Sequence, residues 1–342
     1  MLNFTFFIVF MLFYSRIMVT QIMFKLEKST VMMEGMANGA QKMVLKTLKK
    51  KPDEKTSKTI RRFMEMFVIP PVDLDPYGIV KKFEHLMDLE KDRFKYFVNQ
   101  VSPEMNEEEK ANLMMGFSGA IALYTLAKIL RHYVELIKKT KSYNLALIIQ
   151  MELPLIERYA KAYYSGTEAL ANGWAIGDSI GPYVAASFIG SDKIQVADEE
   201  TVICRKTHKG RDFIVLKAKG PGGRTGNEGR VLDALAKKEK IAAIITMDAA
   251  AKLEGEKTGS VAEGIGIAMG GIGVERSYIE NVAVSRKLPM DNIIVKMGAE
   301  EAIMPMRSEI IDAAPKVFEL LDEIIERQPK GGKIVLIGVG NT

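Results

Sequence analysis

The stretch TVICRKTHKGRDFIVLKA, residues 201–218, decides the fold of the C-terminal half. Two runs rich in β-branched and aromatic residues, 201–206 and 213–218, flank a polar segment in which Gly210 permits a tight turn, so the stretch predicts a β-hairpin. Further apolar runs that predict buried strands follow, separated by helical patterns, at 241–247, 292–296 and 333–337. Strands that alternate with helices predict an α/β domain with a parallel or mixed sheet over residues 191–342.

Upstream of this domain the sequence is mostly helical, so the chain as a whole is expected to be α+β. An all-helical domain is predicted over residues 63–190. Ser102, followed by a proline and an acidic residue, predicts the start of a helix. The run 111–127 is uncharged, but charged residues flank it closely and it is short for a membrane span, so a buried helix is expected there.

The first 24 residues are strongly apolar, with Arg16 as their single charge. They have neither the basic start nor the small-residue cleavage site of a secretory signal peptide. The sequence therefore predicts an uncleaved membrane-anchor helix over residues 1–24. An apolar helix that packs on the body of the protein is the alternative.

A basic segment follows the predicted anchor. Residues 25–62 carry eleven Lys or Arg against four acidic residues, which predicts a juxtamembrane helix that contacts anionic lipid head groups. Because basic segments stay on the cytoplasmic side, we expect a single-pass cell-membrane protein with its N-terminus outside and its bulk in the cytoplasm. Nucleic acid is a rival partner for such a segment, but no recognised nucleic-acid module accompanies it.

The composition excludes several classes of site. The 342 residues include one cysteine and three histidines, and 47% of them are hydrophobic. A single cysteine excludes a disulfide framework within the chain and a cysteine-based metal cage, and it favours a reducing compartment. The hydrophobic fraction is ample for packed cores, so most of the chain is expected to be folded.

Glycine is concentrated in the C-terminal half, where twelve of the 28 glycines fall within residues 220–273. Glycine lets backbone N–H groups converge on an anion, and a glycine loop that opens into a helix adds the dipole of the helix N-terminus. The loop GPGGRTGNEG therefore predicts a site for a nucleotide or another phosphate ligand. Its candidate binding residues are Gly220, Gly222, Gly223, Arg224, Thr225 and Gly226. Glu228 opposes an anion there, and a purely structural loop is the alternative.

A second candidate segment for the same ligand begins at Lys257. Its candidate binding residues are Lys257, Thr258, Gly259 and Ser260. Ser260 and Glu263 have the spacing of a capping box, which predicts a helix N-terminus and therefore another position that favours an anion.

Four residues are candidates for catalysis. Asp248, at the carboxyl end of a predicted strand, could bind Mg²⁺ together with Glu254, or both could lie in a solvated acidic turn. Asp178 and Ser179 lie in GDSIG, which matches the G-x-S-x-G pattern of a serine nucleophile elbow. That elbow needs a strand before it, and the preceding residues look helical. A glycine-rich turn with Asp178 lining a ligand cleft is the alternative.

Segments along nearly the whole chain resemble an archaeal domain-of-unknown-function family (family 1512) whose members look membrane-anchored. They are the apolar N-terminus, the helical middle, NGWAIGDSIGPYVAASFIG, KGPGGRTGNEG, IITMDAAAKLEGEKTGSVAEGIGIAMGG and KIVLIGVGNT. The resemblance implies no activity and no catalytic residue. KIVLIGVGNT also looks like the opening strand and loop of hydrogenase-maturation endopeptidases. In those enzymes an acidic glycine turn follows the strand, whereas the similar turn GDSIGP precedes it here.

Three functions stay open at this level. The first is a membrane-tethered cytoplasmic protein that binds a phosphate-bearing small molecule or nucleotide, with Mg²⁺ as a further cofactor. The second is a non-enzymatic scaffold that forms homo-oligomers or docks partners through its helices. The third is a hydrolase that uses a serine or a metal. The residues alone do not decide whether the protein is an enzyme.

Overall fold

The computed structural model describes residues 2–48, 53–66, 78–221, 223–266 and 273–342, with the backbone alone for residues 2–16. The helices of the N-terminal half are α1 (Leu2–Lys46), α2 (Glu54–Met64), α3 (Ile79–Val101), α4 (Glu107–Thr140) and α5 (Tyr143–Ala171). The C-terminal half comprises a 3₁₀ turn (Gly177–Ser179), α6 (Ile180–Ile189), β1 (Ile194–Val196), β2 (Thr201–His208), β3 (Arg211–Ala218), α7 (Glu228–Ala236), β4 (Ile241–Ala251), β5 (Ser260–Ile265), α8 (Val274–Arg286), β6 (Met290–Met297), α9 (Ala299–Ile303), α10 (Ser308–Ile311), α11 (Ala314–Arg327) and β7 (Lys333–Gly338). The expected α+β class is confirmed.

Helices α1, α4 and α5 pack together as the centre of the helical half. Helices α1 and α5 run parallel, because Ser29 donates a hydrogen bond to Glu157 and, further along both helices, Gly39 packs against Tyr164. Glycine at position 39 leaves space for the tyrosine ring, since a Cβ there would lie 3.0 Å from the ring.

Helix α4 runs antiparallel to α1. Lys138 near its end pairs with Glu27 at 3.2 Å, and Gly116 near its start packs against Val44. The buried side chains of α4 repeat at three- and four-residue spacing, which is the pattern of a helix covered along one face. They include Leu113, Phe117, Ala120, Leu123, Ala127, Leu130, Val134 and Ile137. The expected buried helix at residues 111–127 lies within α4.

The membrane prediction can be compared with the structure at two places, helix α4 and the start of α1. Among the residues that the structure describes, one helix, α4, is long and apolar enough to cross a membrane, and 39% of its apolar window is buried. A core helix of a soluble protein meets the same criterion, and α4 packs along α1 and α5. The predicted anchor at residues 1–24 begins α1, but the side chains of its first 16 residues lie outside the described set. The anchor therefore stays a prediction.

The start of α4 differs from the prediction. Ser102 is the C-cap of α3, and α4 begins at Glu107 with Asn106 as its N-cap, four residues after Ser102. The Asn106 side chain accepts hydrogen bonds from the amides of Glu108 and Glu109, and the Glu109 carboxylate accepts one from the Asn106 amide. This reciprocal capping box satisfies more of the free helix-end amides than Ser102 alone could, so the helix starts there.

A seven-stranded sheet organises the C-terminal half, in the order β1-β2-β3-β7-β4-β6-β5. The four central strands, β3, β7, β4 and β6, are parallel, and antiparallel strands flank them on both sides. The predicted hairpin is β2 and β3, and its two turn residues, Lys209 and Gly210, both have positive φ. Such a turn follows the natural twist of paired strands. The predicted mixed sheet is confirmed.

Helices cover both faces of the sheet. Helices α6 and α11 pack on one face and α7 and α8 on the other. Neighbouring residues of one strand face opposite layers: Ile244 packs with α7 and α8, and Ile245 packs with α6 and α11. Strands buried on both faces account for their nearly continuous apolar sequences.

Three boundaries differ from the predictions. Residues 260–265 form an edge strand, β5, so the helix that Ser260 and Glu263 predicted is wrong. The helical pattern that separates the predicted strands at 292–296 and 333–337 is divided into α9, α10 and α11. Helix α6 packs on the sheet, which places residues 180–189 with the C-terminal domain rather than with the helical domain predicted over 63–190.

Candidate active site

Three segments meet at the carboxyl ends of β4 and β7. Asp248 lies near the end of β4, Asp178 lies in the 3₁₀ turn before α6, and Asn341 follows β7. Ligands of open α/β sheets bind outside the carboxyl ends of their strands. The three side chains therefore lie at the edge of the sheet where a ligand is expected.

Close backbone packing brings these segments together. A Cβ at Gly181 would overlap the carbonyl oxygens of Val339 and Met247. Glycine at this position lets the first turn of α6 rest directly on β4 and on the residues after β7. The amide of Val339 also donates to the Met247 carbonyl oxygen at 2.9 Å, which holds the tail after β7 beside the end of β4.

Asp248 is a buried carboxyl group with an unused oxygen. The side chain is 4% exposed, and its Oδ1 accepts a hydrogen bond from the amide of Ala249 at 2.7 Å. Its Oδ2 is buried and has no hydrogen-bond partner among the described residues. Burial, and secondarily the charge of Asp178, raise the pKa of Asp248 to about 8. Asp248 is therefore mostly protonated at neutral pH.

Asp178 is partly buried and has different partners. Its Oδ2 accepts two hydrogen bonds from Asn341, one from the backbone amide and one from the side-chain amide, each at 3.0 Å. Burial raises the pKa of Asp178, and the two Asn341 hydrogen bonds oppose that rise because they stabilise the ionised form. Asp178 thus has two donors that favour its charged form, whereas Asp248 has one.

Gly340 makes this contact possible. Its φ is +127°, a conformation that side-chain-bearing residues rarely adopt, and a Cβ there would overlap the carbonyl oxygen of Asp178. The glycine before Asn341 thus lets the tail approach the 3₁₀ turn closely enough for both amide donors to reach Asp178.

Ser179 does not have the geometry of a serine nucleophile. It is 2% exposed, and its hydroxyl accepts a hydrogen bond from the amide of Ile176 at 3.1 Å. The preceding residues end α5 and do not form the strand that a nucleophile elbow requires. His208, the histidine nearest after it in the sequence, pairs with Asp322 at 3.3 Å on another part of the domain.

The predicted partnership of Asp248 with Glu254 is not formed. Glu254 is exposed in the turn after β4, and the residue whose charge acts on Asp248 is Asp178. Within the described ranges, no group of three or more His, Cys, Asp or Glu could hold a metal ion. Mg²⁺ at Asp248 stays a prediction.

One amide of the glycine loop at 220–226 and the amide that follows the loop have partners within the chain. The Gly223 amide donates to the Thr342 carbonyl oxygen, and the amide of Asn227 donates to the Thr201 hydroxyl at 2.7 Å. Gly222 lies outside the described residues. Fewer amides are therefore free to surround an anion than the glycine pattern predicts.

The N-terminus of α7, which the loop enters, already holds a negative charge. The amides of Gly229 and Arg230 donate to one oxygen of Glu275, at 2.7 and 3.1 Å. A carboxylate of the protein thus occupies the place that an anionic ligand would take at this helix end.

The other loop candidates have mixed surroundings. Arg224 is buried, donates to the Glu107 carbonyl oxygen at 3.4 Å and lies 3.9 Å from a Glu200 oxygen. Burial raises the pKa of Glu228 to about 8. Thr225 is exposed; a Cβ at Gly226 would overlap the Glu228 carboxyl, and Gly220 faces Thr342. Phosphate binding here stays a prediction that these contacts do not favour.

The second candidate segment, 257–260, lies near the opposite edge of the sheet from the first. Thr258 donates to Glu301 at 2.6 Å, the Gly259 amide donates to a carbonyl oxygen of β6, and the Ser260 hydroxyl donates to the Lys257 carbonyl oxygen. Because β7, β4 and β6 separate β3 from β5, the fold does not bring the two glycine-rich segments together.

Comparison with known protein families agrees with the two-part architecture. The chain matches the model described as "Protein of unknown function (DUF1512) N-terminal domain" over residues 1–173 and the model described as "Domain of unknown function (DUF1512) C-terminal" over residues 176–342. The chain belongs to the DUF1512 family. No curated protein and no solved structure is significantly similar to it. The archaeal origin that the resemblance implies stays a prediction.

The C-terminal DUF1512 domain contains the whole carboxylate pair. The family boundary falls between residues 173 and 176, before Asp178, and the predicted boundary at residue 190 would separate Asp178 from Asp248. Asn341 was missed as a site residue. Asn341 lies in the segment KIVLIGVGNT, and the structure joins it to Asp178 of the segment GDSIGP.

Proposed function

We propose that this protein is a hydrolase in which Asp178 and Asp248 form the acid–base pair. One observation carries the proposal: a buried Asp248 oxygen without a hydrogen-bond partner among the described residues lies near Asp178, whose two hydrogen bonds from Asn341 favour its ionised form, at the carboxyl edge of the sheet. Two carboxyl groups whose surroundings separate their pKa values are the usual basis for assigning an acid and a base.

We assign the acid and base roles of the two carboxyl groups from their different surroundings. Asp178 accepts a proton from a water molecule, and the water oxygen bonds to the carbonyl carbon of the substrate. Asp248 donates its proton to the carbonyl oxygen. When the tetrahedral intermediate collapses, the C–N bond breaks, the amine leaves with the proton held by Asp178, and Asp248 regains a proton from the intermediate's hydroxyl group.

A peptide bond is the proposed substrate. The support is the likeness of the tail and of the acidic turn to hydrogenase-maturation endopeptidases, together with the contact that joins the two segments in this structure. The order of the two segments along the chain is reversed relative to those enzymes, but their neighbourhood in space does not depend on that order.

The proposal is tested by peptide cleavage with the full chain and three variants. A fluorogenic peptide library should be cleaved by the wild type, and Asp178→Asn and Asp248→Asn should each lower kcat by about a hundredfold or more, the usual contribution of a positioned acid or base. Glu254→Gln is the matched control, because this carboxylate is exposed and outside the pair. Cleavage that survives in Asp248→Asn contradicts the proposed mechanism, and a wild type that cleaves no member of the library contradicts the proposed substrate.

The same variants test the Mg²⁺ prediction. If Mg²⁺ binds at the pair, millimolar MgCl₂ should raise the melting temperature of the wild type and of Glu254→Gln but not of Asp248→Asn. An equal shift in all three proteins would indicate binding elsewhere.

We further propose that the start of α1 anchors the protein in the cell membrane as a single-pass helix, with the N-terminus outside and the bulk in the cytoplasm. Helix α1 is continuous from Leu2 to Lys46, and Ile22 is the first of its described side chains that lies in the buried core of the helical half. The uncharged residues before Arg16 precede that core along the same helix. Lys25 and Lys28 are exposed and could contact anionic head groups.

A further inference from the structure

A cleft of about 770 Å³ lies at the amino ends of β3, β7 and β4, three neighbouring parallel strands of the sheet. The β2–β3 turn, the connection from α7 to β4 and the segment before β7 form its walls. Small-molecule sites in proteins are roughly 300–1,000 Å³. Strand β7 has six residues, so about 17 Å separates this cleft from the carboxyl edge that carries Asp178 and Asp248.

The walls of this cleft, which we call the amino-edge cleft, are strongly basic. Two acidic side chains, Asp212 and Glu239, line it together with six basic ones, so its net charge is +4. Residues 191–342 as a whole carry as many basic as acidic side chains. Positive charge is therefore concentrated in the cleft. The six basic residues are Lys209, Arg211, Lys238, Lys240, Lys330 and Lys333.

Three of the six basic residues have partners within the chain. Lys209 and Lys333 each pair with an acidic side chain. Arg211 donates hydrogen bonds to the carbonyl oxygens of Gln328 and Pro329, which tie the start of β3 to the segment before β7. These contacts hold two walls of the cleft together, so its shape does not depend on a ligand.

The other three basic residues are available to a ligand. Lys238, Lys240 and Lys330 are exposed, and none of them makes a hydrogen bond or an ion pair with the described residues. In the same part of the chain the amides of Gly331 and Gly332 donate no hydrogen bond, and the φ of Gly331 is +92°. Unpaired ammonium groups beside adjacent glycine amides are the donors that an anion site requires.

The lining of the cleft indicates the chemistry of the anion. It consists of charged residues and glycines, without an aromatic or large apolar side chain. A nucleic-acid base therefore has no ring to stack on, and an apolar peptide side chain has no surface to pack against. A phosphate group carries up to two negative charges and three acceptor oxygens, so it can accept hydrogen bonds from several ammonium and amide groups at once.

We infer that the amino-edge cleft binds a small molecule that bears two or more phosphate groups. Two such groups supply about three to four negative charges, which match the net charge of the cleft. Because the cleft lies at the opposite edge of the sheet from Asp178 and Asp248, this molecule is not the substrate of the carboxylate pair. The inference therefore does not depend on the proposed hydrolase.

Titration calorimetry with inorganic triphosphate and the full chain tests the inference. The measurement is made at 0.15 M salt, where charges more than about 8 Å apart are largely screened, so weak surface binding is suppressed. The wild type should bind triphosphate, and a variant without the three available ammonium groups should bind it at least tenfold more weakly. That variant is Lys238→Gln/Lys240→Gln/Lys330→Gln.

A matched control removes the same charge from elsewhere in the C-terminal half. Lys193→Gln/Lys219→Gln/Lys316→Gln changes three lysines that are also exposed but lie outside the cleft. It should bind triphosphate as the wild type does. The basic segment 25–62 is identical in all three proteins, so binding there does not contribute to the difference. Equal affinities of the two triple variants, or a wild type that does not bind triphosphate, overturn the inference.

Lysine acetylation of the wild type locates the ligand without a substitution. Triphosphate should slow the reaction of Lys240 and Lys330 with acetic anhydride several-fold, as measured by mass spectrometry, and leave Lys193 unaffected. Unchanged labelling of Lys240 contradicts the inference. A short RNA or vesicles of anionic lipid that protect Lys240 where triphosphate does not would also overturn it, because the cleft would then be a nucleic-acid or a membrane surface.

Discussion

At the scale of single residues, the candidate site shows how one neighbour makes two identical functional groups different. Asp248 is buried and Asp178 is partly buried, and removal from water raises the pKa of each carboxyl group. Two hydrogen bonds from Asn341 favour the charged form of Asp178, whereas Asp248 receives one, from Ala249. This difference in donors is the basis on which we propose Asp178 as the base and Asp248 as the acid.

The raised pKa of Asp248 predicts a dependence of stability on pH. The pKa is about 8 in the folded protein against 3.8 as the ordinary value, so the folded state binds the proton more tightly than the unfolded state does. The stabilisation is complete below about pH 4 and is lost as the pH rises towards 8. Asp248→Asn should therefore be more stable than the wild type at pH 8, by on the order of a few kcal/mol, with a smaller difference at pH 5. Urea unfolding at the two pH values measures this.

Glu228 provides the control for that measurement. Its pKa is also raised to about 8 by burial, so Glu228→Gln should flatten the pH dependence in the same direction without affecting peptide cleavage. If Asp248→Asn and the wild type lose stability in parallel between pH 5 and pH 8, the folded protein does not hold a proton on Asp248.

Gly340 predicts a large cost for adding one methyl group. Gly340→Ala requires a φ of +127° and would place a Cβ against the Asp178 carbonyl oxygen. Gly255→Ala is the matched control, since φ there is +92° but nothing lies within 4 Å of the new Cβ. Gly340→Ala should lower the free energy of unfolding by about 2 kcal/mol more than Gly255→Ala, because overlap adds to backbone strain. Equal effects of the two substitutions would show that the tail does not pack against the 3₁₀ turn.

The sequence identified Asp178 and Asp248 separately but could not pair them. Asp248 was recognisable because it follows an apolar run at the end of a predicted strand. The sequence favours Glu254 as its partner, because Glu254 is close along the chain. In the structure the charge that acts on Asp248 is that of Asp178, which is seventy residues away. The proximity of residues so far apart in the sequence depends on the order of the strands in the sheet. That order places β7 between β3 and β4, in the middle of the sheet.

At the scale of elements, the periodicity of apolar residues predicts most strands and helices correctly, whereas the spacing of polar residues does not. The hairpin and the buried strands were predicted from apolar runs that the sheet buries on both faces. The three-residue spacing of Ser260 and Glu263 predicts a helix for the segment that begins at Ser260. A strand accommodates the same spacing, and six residues of β5 pair with β6, from Ser260 with Lys296 to Ile265 with Asp291.

The cap of α4 gives a prediction at this scale. Asn106→Ala removes the acceptor for two helix-end amides and should lower the free energy of unfolding by about 1 kcal/mol. Ser102→Ala should be neutral or slightly stabilising, because the buried Ser102 hydroxyl has no hydrogen-bond partner among the described residues. Chemical denaturation of both variants distinguishes the observed start of α4 from the predicted one. A larger loss in Ser102→Ala would contradict the observed start.

At the scale of the whole molecule, α3 connects the two halves through polar contacts. Lys91 pairs with Glu200 at 3.0 Å, and Glu84 accepts a hydrogen bond from Tyr278 at 2.9 Å and lies 3.2 Å from Arg230. The groups that α3 contacts lie on β2, α7 and α8, or next to them, near the carboxyl end of the sheet. The helical half therefore contacts the same end of the C-terminal domain that carries the carboxylate pair.

The tether can be separated from the fold by a deletion. Residues 2–15 precede Ile22, the first residue of α1 in the buried core, so their removal takes no described side chain out of that core. The shortened chain should keep the melting temperature of the full chain to within a few degrees, since a change of 1 kcal/mol shifts the melting temperature of a large domain by about 2–4 °C. It should move from the membrane fraction to the soluble fraction and keep its peptide cleavage, because the site lies in the other half. A shortened chain that stays with the membrane would assign membrane binding to another surface, such as α4, whose length and apolar character satisfy the requirements for a span.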